Sequence, residues 1–318
     1  MARTLEGALT VRACANRLKG SFLLSSEARQ RIHDRSRTMV RLTAGSVIFF
    51  ALILMSGNSA AAQSLIEPEA TEPVSSNVSA LPDAPLPQAS SPAVAGPNSP
   101  DAVTLRKIPV NILKDQAAIW TSPVRIREQH LAYLVPLALV TTVTISTDHQ
   151  VMSSSWVDEP SLNSHAETAS NGLLGGFVAA PIIIYTFGHF HHDYHATETG
   201  ILGGEAMVDS LVVVEAVKAI TMRERPTVNN AKGEFFQTSA GLDSSFPSAH
   251  TIIAWSAASV IASEYHGPLT QLTAYGLATG VSVTRVLARQ HFPSDVLVGS
   301  AVGWMIGRYV FHKHHRDY

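Results

Sequence analysis

The chain is nearly without cysteine: its one thiol, Cys14, lies close to the amino terminus, upstream of everything that reads as folded domain. Disulfides, thiolate metal centres and cysteine nucleophiles are thereby excluded for that domain. Charge is also sparse. Only 15% of the 318 residues are charged, and 23 Lys and Arg nearly balance 25 Asp and Glu. A chain with no basic excess is not built to hold nucleic acid, so its cations have to be judged by position. No stretch alternates apolar and polar residues over the length of a strand, which removes β architectures.

Apolar sequence, by contrast, is plentiful, at 46% of residues. The first apolar run, Val47 to Met55, comes after Arg35, Arg37 and Arg41 and leads to Ala60 and Ala62 just before Gln63. A basic flank, a short apolar core and an Ala-x-Ala end make a secretory signal over residues 1–62, with Met39 the better-placed start. Cleaved or retained as an anchor, such a segment exports the domain on its carboxyl side. Residues 63–104 hold a Pro-, Ser- and Ala-rich stretch that cannot bury a core and reads as a disordered linker.

Residues 105–318 read as one all-α domain, a helical bundle of about six core helices. Apolar stretches run over Leu131–Thr147, Gly172–Gly188, Ile201–Val217, Thr251–Ala262, Leu269–Val283 and Val296–Phe311, separated by Pro, Gly, Asp and His clusters. Leu131–Thr147 is free of charge but contains Pro136, and its 17 residues reach only about 25 Å as a helix. Ile201–Val217 carries Glu205, Asp209 and Glu215, which are costly against lipid. These runs fit buried core helices or a compact membrane bundle, and membrane association is the expectation.

Three segments concentrate polar side chains beside the apolar runs: Lys218 to Pro226, Phe246 to His250, and Thr284 to Asp295. His291 precedes a Pro293 suited to a first helical turn, and Asp295, four residues on, is placed to accept the imidazole Nδ1–H. Nε2 would then present a lone pair, the state of a nucleophilic histidine. Ser248, Ala249 and His250 open a helix whose unpaired N–H groups suit phosphate oxygens. Ser248 can cap or donate there, and a protonated His250 can supply a leaving alkoxide with a proton. Lys218, Arg225 and Arg285 are hard to bury beside apolar helices unless an anion pairs with them. Arg223 and Arg289 read as interfacial or solvated cations.

In order, Lys-x6-Arg-Pro, Pro-Ser-x-His and Arg-x5-His-x3-Asp resemble the type 2 phosphatidic acid phosphatase superfamily, which holds lipid phosphatases, bacterial acid phosphatases and vanadium haloperoxidases. The resemblance implies a helical phosphatase domain in which Lys218, Arg225 and Arg285 hold phosphate, with Ser248 and the Ala249 N–H completing the cradle. It implies that His291 attacks phosphorus to give a phosphohistidine, that Asp295 orients His291, and that His250 protonates the leaving group. It implies no metal or other cofactor. Ala249 stands where the family usually has Gly, and Thr284 where it usually has Ser; neither change removes a catalytic group.

Other polar clusters read differently. His189, His191, His192, Asp193 and His195 have spacings that could converge on a metal, but suit a polar loop at the mouth of the bundle. His312, His314 and His315, with Lys313 and Arg316, look like a solvated tail. Glu205, Asp209 and Glu215 pair either with the site cations or with neighbouring helices. The expected function is hydrolysis of a phosphate monoester of a lipid, such as phosphatidate, an isoprenoid phosphate or a glycolipid phosphate, outside the cytoplasm, in the periplasm or at the cell membrane. The alternatives are a soluble periplasmic acid phosphatase, a haloperoxidase with vanadate in the phosphate position, and a non-catalytic helical binding protein.

Overall fold

The computed structural model describes residues 103–316. The expected export signal and all but the last two residues of the expected linker lie outside them. Among the described residues every regular element is helical, as composition and period imply: α1 (Ile108–Thr121), α2 (Glu128–Met152), α3 (Pro160–His191), α4 (Tyr194–Thr221), α5 (Ala249–Glu264), α6 (Pro268–Leu287) and α7 (Pro293–His314). Local chemistry sets the boundaries. Helices α3, α6 and α7 open on proline, whose fixed φ suits a first turn. Asp193 caps α4 by accepting from the Ala196 N–H at 3.1 Å. His192 and Met222 end α3 and α4 in the left-handed region.

Two features differ from the sequence expectation. Helices α2 and α3 run to 25 and 32 residues, far beyond their apolar runs. Pro136 and Pro181 are absorbed within them, and polar turns extend both ends. The other difference is α1, which gave no apolar signal because its polar face points inward. Asp115 is fully buried, while Leu113 is 72% exposed.

Helices α4, α5, α6 and α7 form the centre, with α3 lying across α4 and α6. Trp255 of α5 and Tyr275 of α6 are buried with ring centroids 5.6 Å apart, and the Trp255 indole donates to Ser282 Oγ at 3.1 Å. Leu202 and Val214 of α4 meet Ile252 and Val260 of α5 and Ile306 and Val310 of α7 in a second cluster. Each such side chain, fully buried, contributes roughly 1.5–3 kcal/mol.

Helices α5 and α7 run parallel and nearly backbone to backbone. Gly299 faces Ser248 and Thr251, Gly303 faces Ile252, and Gly307 faces Ser256, so both chains advance together. A methyl group at Gly303 or Gly307 would collide with the carbonyl oxygens of Ile252 and Ser256. Gly307→Val is expected to cost about 1–3 kcal/mol by overpacking. Its thermal midpoint in detergent should drop by several degrees. Gly276→Ala, at a position open to space, should leave the midpoint unchanged or slightly raised.

Candidate active site

Because α5 and α7 are parallel, both amino termini reach one end of the bundle, and the carbonyl of Asp295 accepts from the Ser248 N–H at 3.2 Å. The carboxyl ends of α4 and α6 arrive at the same end, bearing Lys218 and Arg285 in their last turns. Two positive helix ends and two cations brought in on negative helix ends thus face one space. The connection from α4 to α5 adds Arg225, and the turn before α7 adds His291.

His291 is only 2% exposed. Its Nδ1–H donates to the Ser245 carbonyl at 2.7 Å, which fixes the tautomer and leaves Nε2 as a lone pair. The expected bond to Asp295 is not made; the Asp295 carboxylate stands 3.6 Å from Nδ1. Other groups claim its oxygens. Oδ2 accepts from the Phe292 N–H at 2.8 Å, and Oδ1 accepts from Arg223 at 2.5 Å. Asp295 acts on His291 as a nearby charge, while a backbone carbonyl orients the ring.

Arg223 is the larger correction. It is 1% exposed, not solvated. Its guanidinium donates to Asp295, to Ser294 Oγ at 2.7 Å, to Asp148 of α2 at 2.8 Å and to the Gly233 carbonyl at 3.1 Å. The rings of Phe292 and Phe235 lie 4.1 and 4.7 Å from its carbon. With two carboxylates it forms a compensated buried cluster that pins α2 to the start of α7, directly behind His291. Arg289 behaves as read, an outer cation paired with the exposed Asp158.

Ser248 is fully buried but does not cap α5 through its side chain. Its Oγ accepts from the Thr251 hydroxyl at 3.0 Å, so its own proton can be donated elsewhere. His250, half-buried, lies with Nε2 3.1 Å from Asn171 Oδ1 of α3. Burial, then the charges of Arg285, His291, Lys218 and Arg225, push its imidazole down to about 3. Burial and the same arginines hold His291 well below the usual histidine range. Both imidazoles thus feel the charges of the same three cations.

The cations are unequally partnered. Arg225 is held by Asp243 at 2.7 and 3.0 Å and by the Gln290 carbonyl at 3.1 Å. Lys218 has a loose contact with Glu215 at 3.5 Å. Arg285 is 5% exposed, its guanidinium makes no ion pair or hydrogen bond among the described residues, and its buried Nε has no partner. Burial and Arg225 push it down to about 10, which leaves it charged at neutral pH. Glu167 of α3 is an exposed and partial counterweight. A buried unpaired guanidinium is costly unless an anion joins it, so the space suits an anion and repels a metal cation.

The family model of the PAP2 superfamily matches residues 201–318. Over these residues the chain is similar to the PAP2 superfamily. Every motif residue, from Lys218 to Asp295, lies inside the PAP2 match, which begins within α4. A stretch of 65 residues is 35% identical to the lipid A 1-phosphatase of Porphyromonas gingivalis, covering 20% of this chain and 15% of that protein. The chain thus spans a small part of that relative's length. The crystal structure of a transmembrane PAP2 type phosphatidylglycerolphosphate phosphatase from Bacillus subtilis superposes over 67% of this chain and 98% of that one, at 18% identity and a TM-score of 0.36.

The remaining polar clusters lie away from this site. The histidine loop after α3 is at the opposite end of α4, about 35 Å from Lys218 along the helix, so it is not the mouth of this site. There His189 stacks on Tyr185, His191 lies against Phe187, and His195 Nδ1 is 2.9 Å from Glu264. The carboxyl-terminal histidines are not a solvated tail either. His314 Nε2 is 2.7 Å from Asp115, and His315 Nδ1 is 3.1 Å from Glu198. Both carboxylates are buried. Glu205 and Asp209 turn toward α1 and not toward the phosphate motifs.

Proposed function

We propose that the domain hydrolyses a phosphate monoester of a lipid through a phosphohistidine on His291. The observation that carries the reading is Arg285, buried without a counter-ion, beside an imidazole whose tautomer is locked with Nε2 free. Arg285, Lys218 and Arg225 would hold the equatorial phosphate oxygens, with the Ser248 hydroxyl and the first N–H groups of α5 completing the cradle. These donors gain strength as charge spreads over phosphorus. Nε2 attacks phosphorus in line as the ester P–O bond breaks, and the departing alkoxide takes a proton delivered by His250. Water then attacks the phosphohistidine with His250 as base, the N–P bond breaks, and His250 passes the proton to the departing phosphate, which restores both imidazoles. Fixed cations do the work that a metal would otherwise do, so the proposal assigns no cofactor.

A lipid substrate is favoured by what surrounds the site. Helices α2 and α3 are long and apolar enough to cross a membrane, and only 6% and 17% of their most apolar windows are buried. Val143, Ile182, Ile183 and Phe190 are among the side chains they expose. Asn171, which meets His250, sits on one of these helices, so a lipid approaching along α3 would bring its headgroup to the histidines. The lipid A 1-phosphatase relative acts, by its name, on such a molecule. We place the domain at the cell membrane with its site outside the cytoplasm.

The test is hydrolysis of lipid and water-soluble phosphate monoesters by the full chain in detergent, with chelator present and pH varied. Lipid esters should be preferred, and soluble esters turned over equally well would overturn the lipid assignment. His250 is unprotonated in the free site above about pH 3. The leaving-group proton therefore enters with the substrate monoanion, whose second pKa is about 6. Values of kcat/KM should be level below about pH 6 and fall roughly tenfold per unit above it. A rise through that range would contradict the assignment of His250.

A further inference from the structure

At the other end of α7, about 30 Å along its axis from His291, three buried carboxylates meet one imidazole. We propose that Asp115 of α1, Glu205 of α4 and His314 of α7 form a binding site for a divalent transition metal, zinc being the best match, which fastens α1 to the bundle. Asp115, Glu205 and Asp209 are each fully buried. Among the described residues the only ion pairs they make are with His314, and Asp209 makes none. A single imidazolium leaves two of the three carboxylate charges uncompensated out of water, whereas a dication held by the neutral imidazole leaves only one.

The hydrogen bonds are arranged as around a metal. The Tyr309 hydroxyl donates to the outer oxygen of Asp115 at 3.0 Å, and the Asn111 amide donates to the outer oxygen of Glu205 at 3.4 Å. Each carboxylate thereby turns its other oxygen inward. Asp115 Oδ2 lies 2.7 Å and Glu205 Oε1 3.4 Å from His314 Nε2, and the three ligand atoms all fall within 4.8 Å of one another. Ligands of a tetrahedral zinc are separated by about 3.4 Å. The inward Glu205 Oε1 is buried and has no hydrogen-bond partner. Close by, Asp209 holds Gln116 of α1 through Oδ1 at 2.8 Å and leaves Oδ2 buried and unpartnered, a further negative charge facing the cluster. A donor set mixing imidazole with carboxylate favours zinc over magnesium or calcium. The ion also accounts for α1, whose polar side is turned inward and whose apolar side is exposed.

Full-length protein, purified in detergent without a histidine tag and dialysed, should retain roughly one zinc per chain by elemental analysis. After stripping with chelator, zinc at a hundred times its Kd should raise the thermal midpoint by about 5 °C or more. Glu205→Gln and His314→Gln should lose both effects, and His312→Gln, on the exposed side of the same turn, should keep them. Absence of bound zinc together with absence of a zinc-dependent shift in the unsubstituted chain overturns the proposal, whatever the variants do. Zinc retained in both variants does so as well, since it would place the ion elsewhere. Metal content and midpoint are read without any phosphatase assay, so this site and the assignment of His291 stand or fall separately.

Discussion

His291→Ala should lower kcat by about 10⁴-fold or more, because the proposed mechanism forms its covalent bond to phosphorus at His291 Nε2. The Nδ1–H bond to the Ser245 carbonyl is what makes the expectation sharp. A carbonyl can only accept, so the proton is held on the far side of the ring and Nε2 is the basic nitrogen. Rapid quenching with a phosphate-labelled substrate should trap label on the unsubstituted protein in an acid-labile, alkali-stable form, as a phosphoramidate behaves. The variant should trap none. Hydrolysis persisting at the original rate would remove His291 from the reaction and with it the proposed mechanism.

Arg285→Met should lower kcat/KM by about 10³-fold, the scale of losing one preorganised donor to transition-state charge. The same change should make the protein more stable. Arg285 is buried with no carboxylate in contact and only the exposed Glu167 as a partial counterweight, so its charge is poorly compensated in the free protein. A methionine of similar reach removes that cost, and a gain of about 1 kcal/mol would raise the thermal midpoint by roughly 2–4 °C. Arg223→Met should do the reverse, because that guanidinium balances Asp148 and Asp295 and its loss leaves two buried carboxylates. Phosphate or vanadate should raise the midpoint of the unsubstituted chain and do so far less in Arg285→Met. A loss of stability in Arg285→Met would mean that the side chain is compensated within the fold and has no need of an anion.

The motif residues were legible because each is a polar exception next to an apolar helix. Lys218, Ser248, His250, Arg285 and His291 all stand at or beside helix ends, where spacing along the chain and position in space agree. What was not legible depended on partners distant in sequence. The hydrogen bond that orients His291 comes from a main-chain carbonyl at residue 245, and no side-chain pattern marks it. Asp295 was placed correctly along the chain but is drawn away by Arg223, whose partner Asp148 is 75 residues from it. Arg223, two residues before Arg225, looks equally solvated in sequence, and only burial separates their roles. Helix α1 went unnoticed because its buried face is the polar one. His314 and His315 look like a loose end until Asp115 and Glu198, nearly 200 and 117 residues away, come to meet them.

The stripe Gly299, Gly303 and Gly307 has a consequence for how this protein can be altered. In the proposed mechanism, the distance from His291 to His250 is set where the two main chains approach closely at these glycines. That distance is therefore stiff, and substitution elsewhere in the bundle has little leverage on it. Helix α3 approaches His250 through Asn171, on a face with room around it. If the substrate is the proposed lipid phosphate, exchanging residues there should alter which headgroups are accepted while leaving the chemical step as it was.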